Sequence, residues 1–234
     1  AKAIAGLDVF ASLALVAERN HYVRPKVNEG GIIDIKGGRH PVVEQMIDND
    51  MFIANDTYLD SNKKRISIIT GPNMAGKSTY MRQTALIVIL AQMGCYVPCK
   101  ECRMPLFDKI FTRIGASDDI LSGQSTFMVE MSEANRALQQ ATSRSLVLFD
   151  EIGRGTSTYD GMALAQSMME YLASCVHAKT MFSTHYHELT SLVDSMGVVK
   201  NVHVVVKEDD DKVTFLYRIK EGAAGHSYGI NVAR

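Results

Sequence analysis

The sequence has few of the features that mark nucleic-acid-binding and membrane surfaces. It contains no Trp, and only 7% of its 234 residues are aromatic, which argues against a platform on which bases stack. Its 25 Lys and Arg residues are balanced by 26 Asp and Glu residues, so the net charge is −1, whereas a surface that grips a duplex is usually basic. The longest apolar stretch, residues 85–91, is too short to cross a bilayer. We therefore expect no membrane partner and no strong grip on DNA by this chain itself.

The four cysteines form no complete metal-binding or disulfide pattern. Cys99 and Cys102 have the spacing of half a zinc site, but no second Cys or His pair follows at the distance found in zinc fingers. The sequence also has no secretory signal. We therefore predict free thiols in a reducing cytoplasm, with a metal or redox role for this pair as the alternative.

Both ends of the chain look like cuts in a longer protein. Apolar residues repeat at helical spacing from Ile4 to Leu15, so a helix over residues 3–19 begins almost at the first residue. This helix is apolar around much of its circumference, which predicts packing on more than one side. The last residues, 228–234, end without a polar tail.

Strands and helices alternate along the rest of the chain. Short apolar runs predict buried strands at 67–70, 146–149 and 180–183. Helical patterns lie between them, at 77–93, 127–142 and 161–173. Residues 202–206 and 213–219 flank an acidic tip at 208–211, which predicts an antiparallel hairpin. Residues 37–41 are a cluster typical of a turn. The alternation predicts an α/β fold with a mixed, mainly parallel sheet.

A glycine-rich segment between a strand and a helix carries the strongest motif. It fits the pattern G-x-x-x-x-G-K-[ST] of the phosphate-binding P-loop at every defined position. In such a loop the backbone N–H groups point at the phosphates, and the helix N-terminus adds positive potential. Lys77 would reach the β- and γ-phosphates of ATP, and the Ser78 hydroxyl would bind Mg²⁺. The predicted cofactor-binding residues here are Gly71, Pro72, Asn73, Met74, Ala75, Gly76, Lys77, Ser78 and Thr79.

Two adjacent acids follow the second apolar strand. Asp150 and Glu151 come at its carboxyl end, which is the edge at which open α/β sheets bind ligands. Asp150 would hold Mg²⁺, and Glu151 is placed to polarise the attacking water. The alternative interpretation is a pair that caps the next helix.

This Asp-Glu pair is typical of ATPases of the ABC type, whose two ATP molecules lie between two domains. Such a domain also needs a Ser at a helix N-terminus that is aimed at the γ-phosphate bound by its partner. Residues 121–124 resemble the transporter signature only in part, and Ser125 is the better N-cap for the following helix. Transporters also usually continue Asp-Glu with Pro, where this chain has Ile152.

Five segments in this order and spacing resemble the MutS family of DNA mismatch-repair ATPases. They are residues 71–80, 111–116, 125–131, 150–161 and 183–186. Residues 38–44 are also similar to the start of the ATPase domain in that family. The first helix resembles the end of its long helical lever. The resemblance therefore divides the chain into the end of a lever or core helix at 1–24 and a three-layer P-loop ATPase domain at 25–234, which lacks its closing C-terminal helices.

The resemblance implies further roles for individual residues. Asn73 and Thr79 would add phosphate contacts, and the aromatic rings of Phe52 and Tyr217 would bracket the adenine. His185 would sense the γ-phosphate. Residues 153–157 would form the loop that crosses to the partner subunit. Ala75 departs from the Gly of many members, which is tolerable if its φ is negative.

The resemblance also implies the function. We expect a Mg²⁺-dependent ATPase in a homodimer with composite ATP sites, in which Lys77, Glu151 and His185 are the catalytic residues. Mismatched double-stranded DNA would bind through regions outside this segment, and a downstream repair factor of the MutL type would be recruited. Three alternatives remain: a transporter nucleotide-binding subunit, the recombination-suppressing MutS-like paralogue, and a non-catalytic scaffold.

Overall fold

A computed structural model describes residues 1–47, 52–115, 125–209 and 212–224. These residues form a mixed α/β fold. The helices are α1 (Lys2–Arg19), α2 (Val43–Met46), α3 (Lys77–Gln92), α4 (Thr126–Gln140), α5 (Thr158–Tyr171) and α6 (Leu192–Ser195). The strands are β1 (Lys26–Asn28), β2 (Ile33–Gly38), β3 (Asn55–Leu59), β4 (Ile66–Thr70), β5 (Glu101–Pro105), β6 (Ile110–Arg113), β7 (Leu146–Asp150), β8 (Lys179–Ser183), β9 (Val199–Asp209) and β10 (Lys212–Glu221). A π-helical turn, Leu172–Val176, continues α5, and a 3₁₀ turn, His187–Ser191, precedes α6.

The chain divides into two compact units. The first comprises Ala1–Tyr58 and Arg82–Leu106, and the second comprises Leu59–Met81 and Phe107–Arg234. In the first unit four strands form a sheet in the order β1-β5-β2-β3, in which β5 is parallel to β1 and antiparallel to β2. β2 continues through Gly38, so the predicted turn at 37–41 begins later than expected.

The predicted first helix is confirmed as α1, and its predicted packing on more than one side is not seen among the described residues. Ala17 is its one buried residue, and Ile4, Leu7 and Phe10 keep 73%, 70% and 71% of their surface exposed. Nothing in the described part of the chain covers these apolar side chains. Among the described helices, none is both long and apolar enough to span a membrane.

The second unit is built on a sheet with the strand order β10-β9-β4-β8-β7-β6. The pairs from β9 to β6 are parallel, and β9 and β10 form the predicted antiparallel hairpin. The middle of the proposed acidic tip, residues 210–211, lies outside the described residues. The apolar runs explain the central strands, because β4 and β8 are buried at every position and β7 at all but its last.

The parallel strands bring their carboxyl ends to one edge of this sheet. Ser183 at the end of β8 pairs with Asp150 at the end of β7 and with Ile69 in β4. Beneath this edge lies an apolar core in which the rings of Phe149 and Phe182 pack edge to face at a centroid distance of 6.0 Å. The residues that follow β4, β7 and β8 therefore lie close together at this edge of the sheet.

Candidate functional site

The glycine-rich loop runs from the end of β4 into α3. Gly71 and Gly76 have φ values of 142° and 96°, and Met74 also has a positive φ of 61°. A Cβ on Gly71 would lie 3.2 Å from the Cβ of Val204, so both backbone conformation and space favour glycine there. Ala75 is buried and is not among the residues with positive φ, which confirms that alanine is tolerated at this position.

Lys77 lies at the centre of this loop. Its side chain is 3% exposed, and its ammonium donates to the carbonyl oxygens of Gly71 at 2.9 Å and Pro72 at 3.0 Å. The same Nζ atom lies 3.4 Å from Oε1 of Glu151. Burial lowers the pKa of Lys77, and the Glu151 carboxylate opposes that shift. The loop therefore encloses a cation whose nearest acid is the predicted catalytic carboxylate.

Asp150 joins the loop to the sheet edge. One of its carboxylate oxygens accepts a hydrogen bond from the Ser78 hydroxyl at 2.5 Å, and the other accepts one from the Ser183 hydroxyl. Carboxylate and hydroxyl oxygens suit Mg²⁺, which usually takes only one or two protein ligands together with phosphate and water oxygens. Ser78 and Asp150 therefore fit the predicted metal site. No cluster of three or more acidic, His or Cys metal ligands occurs within the described ranges.

Glu151 is the most heavily contacted acid at this edge. Its Oε1 lies 2.5 Å from Nε2 of His185, and its Oε2 accepts a hydrogen bond from Arg154. Burial by itself would raise the pKa of Glu151, but His185, Lys77 and Arg154 outweigh burial and lower this pKa to about 2. The carboxylate therefore stays charged at neutral pH, as a group that orients water must.

A turn with unusual backbone geometry presents the Glu151 carboxylate. Glu151 has a φ of 55°, a conformation that is uncommon for a residue with a side chain. Its N–H donates to the carbonyl oxygen and the hydroxyl of Ser183, at 3.1 and 3.2 Å. A pocket of about 210 Å³ opens beside this turn. Its lining includes Glu151, Arg154, Thr156, Thr184, His185 and Tyr186.

Ser125 is the N-cap of α4, as the sequence predicts. Its Oγ atom accepts a hydrogen bond from the N–H of Met128 at 3.2 Å, and Ser125 itself is exposed. The N-terminus of α4 is thus formed and accessible. Residues 121–124, with their partial likeness to the transporter signature, lie outside the described residues.

The two residues predicted to bracket the adenine, Tyr217 and Phe52, lie in different compact units. Tyr217 lies in the same compact unit as the loop, with φ 50°, and a Cβ on Gly76 would come within 3.2 Å of its ring. Its side chain is half-exposed, and its ring contacts Phe215 edge to face at 6.4 Å. Phe52 is half-buried and belongs to the first unit, so its role stays a prediction. The same holds for the phosphate contacts of Asn73, which is exposed, and of Thr79, which is half-buried.

Sequence reasoning missed several residues at this edge. Arg154 contacts Glu151, Ser183 contacts Asp150, and Tyr186 and Glu130 both hydrogen-bond to the backbone of Gly153. A usable signal existed for Ser183, which ends a buried strand parallel to the one that carries Asp150. Glu130 lies in the segment 125–131 that resembles the family, but its contact with Gly153 forms only because α4 packs against the sheet edge.

Comparison with known proteins agrees with this geometry. Residues 67–234 match the family model described as MutS domain V. Over its whole length the chain is 60% identical to the DNA mismatch repair protein MutS of Lachnoclostridium phytofermentans, 61% identical to that of Leuconostoc mesenteroides and 57% identical to that of Listeria monocytogenes. The chain spans 25–27% of the length of these relatives. These matches favour the mismatch-repair interpretation over a transporter subunit, and we conclude that the chain belongs to the MutS family and contains its domain V.

Proposed function

We propose that this chain is the ATP-binding and ATP-hydrolysing domain of a mismatch-repair protein, with the three-layer architecture of an ABC-type P-loop ATPase. One observation carries the proposal. The P-loop residues Lys77 and Ser78 meet Asp150 and Glu151 at the carboxyl edge of the sheet, with Ser78 2.5 Å from Asp150 and Lys77 3.4 Å from Glu151. This is the set of charges that phosphoryl transfer from ATP to water needs.

Each of these residues has a chemical task in the proposal. The loop N–H groups and the Lys77 ammonium bind the phosphates, and Ser78 with Asp150 holds Mg²⁺. When bound, Mg²⁺ would supply positive charge against the phosphate oxygens. Glu151 orients and polarises the attacking water. His185, hydrogen-bonded to Glu151 at 2.5 Å, senses the γ-phosphate, and Tyr217 and Phe52 hold the adenine.

The same chain also contains a helix N-terminus that, in this proposal, serves the ATP site of another subunit. We infer that Ser125 and the N-terminus of α4 dock on the γ-phosphate bound by a second subunit, which completes a composite site. A helix N-terminus carries roughly half a positive charge, so association of the two subunits depends on ATP. The loop at 153–157 crosses to the partner in this arrangement.

The relatives are named for DNA mismatch repair, and we extend that role to the protein that contains this segment. ATP binding and hydrolysis would drive a mismatch-recognising clamp to slide and to recruit a repair factor of the MutL type. Mismatched DNA would bind through regions outside this chain. The balanced net charge of −1 is consistent with that division of labour.

A mixing experiment tests the proposal. Lys77→Ala removes the phosphate-binding cation, and Ser125→Arg blocks the docking helix, so each variant alone should be inactive. In their heterodimer one site gathers both lesions and the other has neither. ATP hydrolysis should therefore reappear on mixing. If the mixture stays inactive while heterodimers form, or if Ser125→Arg is fully active alone, the composite site is wrong.

A further inference from the structure

Both polar backbone groups of Gly153, in the turn that begins at Glu151, are hydrogen-bonded to side chains. Its N–H donates to Oε1 of Glu130 at 2.6 Å, and its carbonyl oxygen accepts a hydrogen bond from the Tyr186 hydroxyl at 3.0 Å. Glu130 lies on α4, and Tyr186 follows β8. Two side chains from separate elements therefore satisfy both polar groups of this one residue.

Close packing leaves Gly153 little room to move. Its φ is 93°, which favours glycine, and a Cβ added to it would lie 2.6 Å from the carbonyl oxygen of Gly161 in α5. A Cβ on Gly161 would meet the Gly153 carbonyl oxygen at 2.1 Å and the Tyr186 hydroxyl at 2.4 Å. Ile152, between Glu151 and Gly153, is 1% exposed. The turn is thus anchored by an apolar side chain, a glycine contact and two hydrogen bonds.

We propose that Glu130 and Tyr186 are positioning residues that fix the Glu151 carboxylate by holding Gly153. The proposal rests on the proposed ATPase function. Glu130 and Tyr186 touch neither Glu151 nor the P-loop in the described contacts, so they act through the backbone. Because catalytic groups lose much of their effect when displaced by about 1 Å, a loosened turn lowers turnover and leaves nucleotide binding intact.

The link has a consequence for the dimer. Ser125 and Glu130 lie on the first turns of one helix, so the helix that serves the partner's site is hydrogen-bonded to the catalytic turn of its own subunit.

Four variants test the proposal by their turnover. Glu130→Ala should lower kcat about tenfold or more, with the Kd for Mg²⁺-ADP and the KM for ATP unchanged. Glu130→Gln should restore kcat to within about threefold, because its amide oxygen accepts the same hydrogen bond. Tyr186→Phe should lower kcat by a smaller factor, since Glu130 still holds the N–H. Gln139→Ala is the matched control: Gln139 is exposed on the same helix, and the variant should behave like the original chain.

Hydrogen exchange supplies a second readout that does not need ATP hydrolysis. The peptide containing residues 151–156 should exchange faster in Glu130→Ala than in the original chain, and not in Glu130→Gln or Gln139→Ala. If Glu130→Ala keeps both its kcat and its slow exchange, or if Glu130→Gln is as defective as Glu130→Ala, the proposal is overturned. If the original chain has no ATPase activity but the variants show this exchange pattern, the proposed function is refuted and the link between Glu130 and Gly153 is supported.

Discussion

Both ends of the central sheet in the second unit contain buried cations, but the groups that contact these cations differ. At the carboxyl end, Lys77 faces an ionised acid, Glu151, at 3.4 Å. At the amino end, Arg65 donates to the carbonyl oxygens of Ala173 at 2.5 Å and Ser61 at 3.2 Å, and Lys179 donates to the Ser61 hydroxyl at 3.2 Å. Buried charge alone therefore does not distinguish the proposed site from the opposite end of the sheet.

What the cations contact explains the difference. Arg65 stabilises the end of the α5 helix, because it donates to the carbonyl oxygen of Ala173 in the π-helical turn that continues this helix. The Lys179 ammonium lies over the ring of Phe107, 6.0 Å from its centroid, so it makes a cation–π contact as well as its hydrogen bond to Ser61. Burial lowers the pKa of both residues. The Asp60 carboxylate opposes this shift for both cations. At the carboxyl end, by contrast, the acid lies within 3.4 Å of the cation and lines a pocket.

The comparison predicts that loss of Lys77 damages activity far more than stability. Lys77→Ala should lower ATP turnover by about 10²–10³-fold, the scale seen when a key electrostatic stabiliser is removed. The free energy of unfolding should fall by less than it does in Arg65→Ala, because the desolvation cost of the buried ammonium offsets the hydrogen bonds it makes, and Glu151 keeps His185 and Arg154 as partners. Steady-state ATPase assays measure the turnover, and urea denaturation measures the free energy of unfolding. Unchanged turnover would remove Lys77 from the site.

Arg65 should show the opposite pattern. Arg65→Ala should destabilise the fold by about 3 kcal/mol, because the carbonyl oxygen of Ser61 loses its guanidinium donor and the side chain's packing is lost. Turnover per folded molecule should stay within about twofold of the original. Urea denaturation and ATPase assays on the folded fraction measure both, with the exposed Arg144→Ala as control. A turnover loss as large as that of Lys77→Ala would erase the distinction between the two ends.

Local patterns predicted most of the second unit. The apolar runs of β4, β7 and β8, the helix after the glycine-rich loop and the N-cap at Ser125 all follow from residues within a few positions of one another. The loop chemistry was predictable for the same reason. These elements were found within one or two residues of their expected bounds.

Contacts between distant residues could not be predicted in this way. The Arg65 hydrogen bond to Ala173 spans 108 positions, and the Gly153 hydrogen bond to Glu130 spans 23. The positive φ of Glu151 likewise depends on Ser183 in a neighbouring strand. The exposure of α1 depends on which surfaces surround the helix, and apolar periodicity does not identify these surfaces.

In the proposed mechanism, the carboxyl edge binds ATP through one set of groups and hydrolyses it through Glu151. Glu151→Gln tests it most directly, because the substitution keeps the size of the side chain and removes its charge. Binding of Mg²⁺-ATP, measured with radiolabelled nucleotide, should persist, while release of phosphate from the same sample should fall by at least about 10²-fold. Phosphate release at the original rate, with ATP bound, would show that Glu151 does not orient the water and would contradict the proposed mechanism.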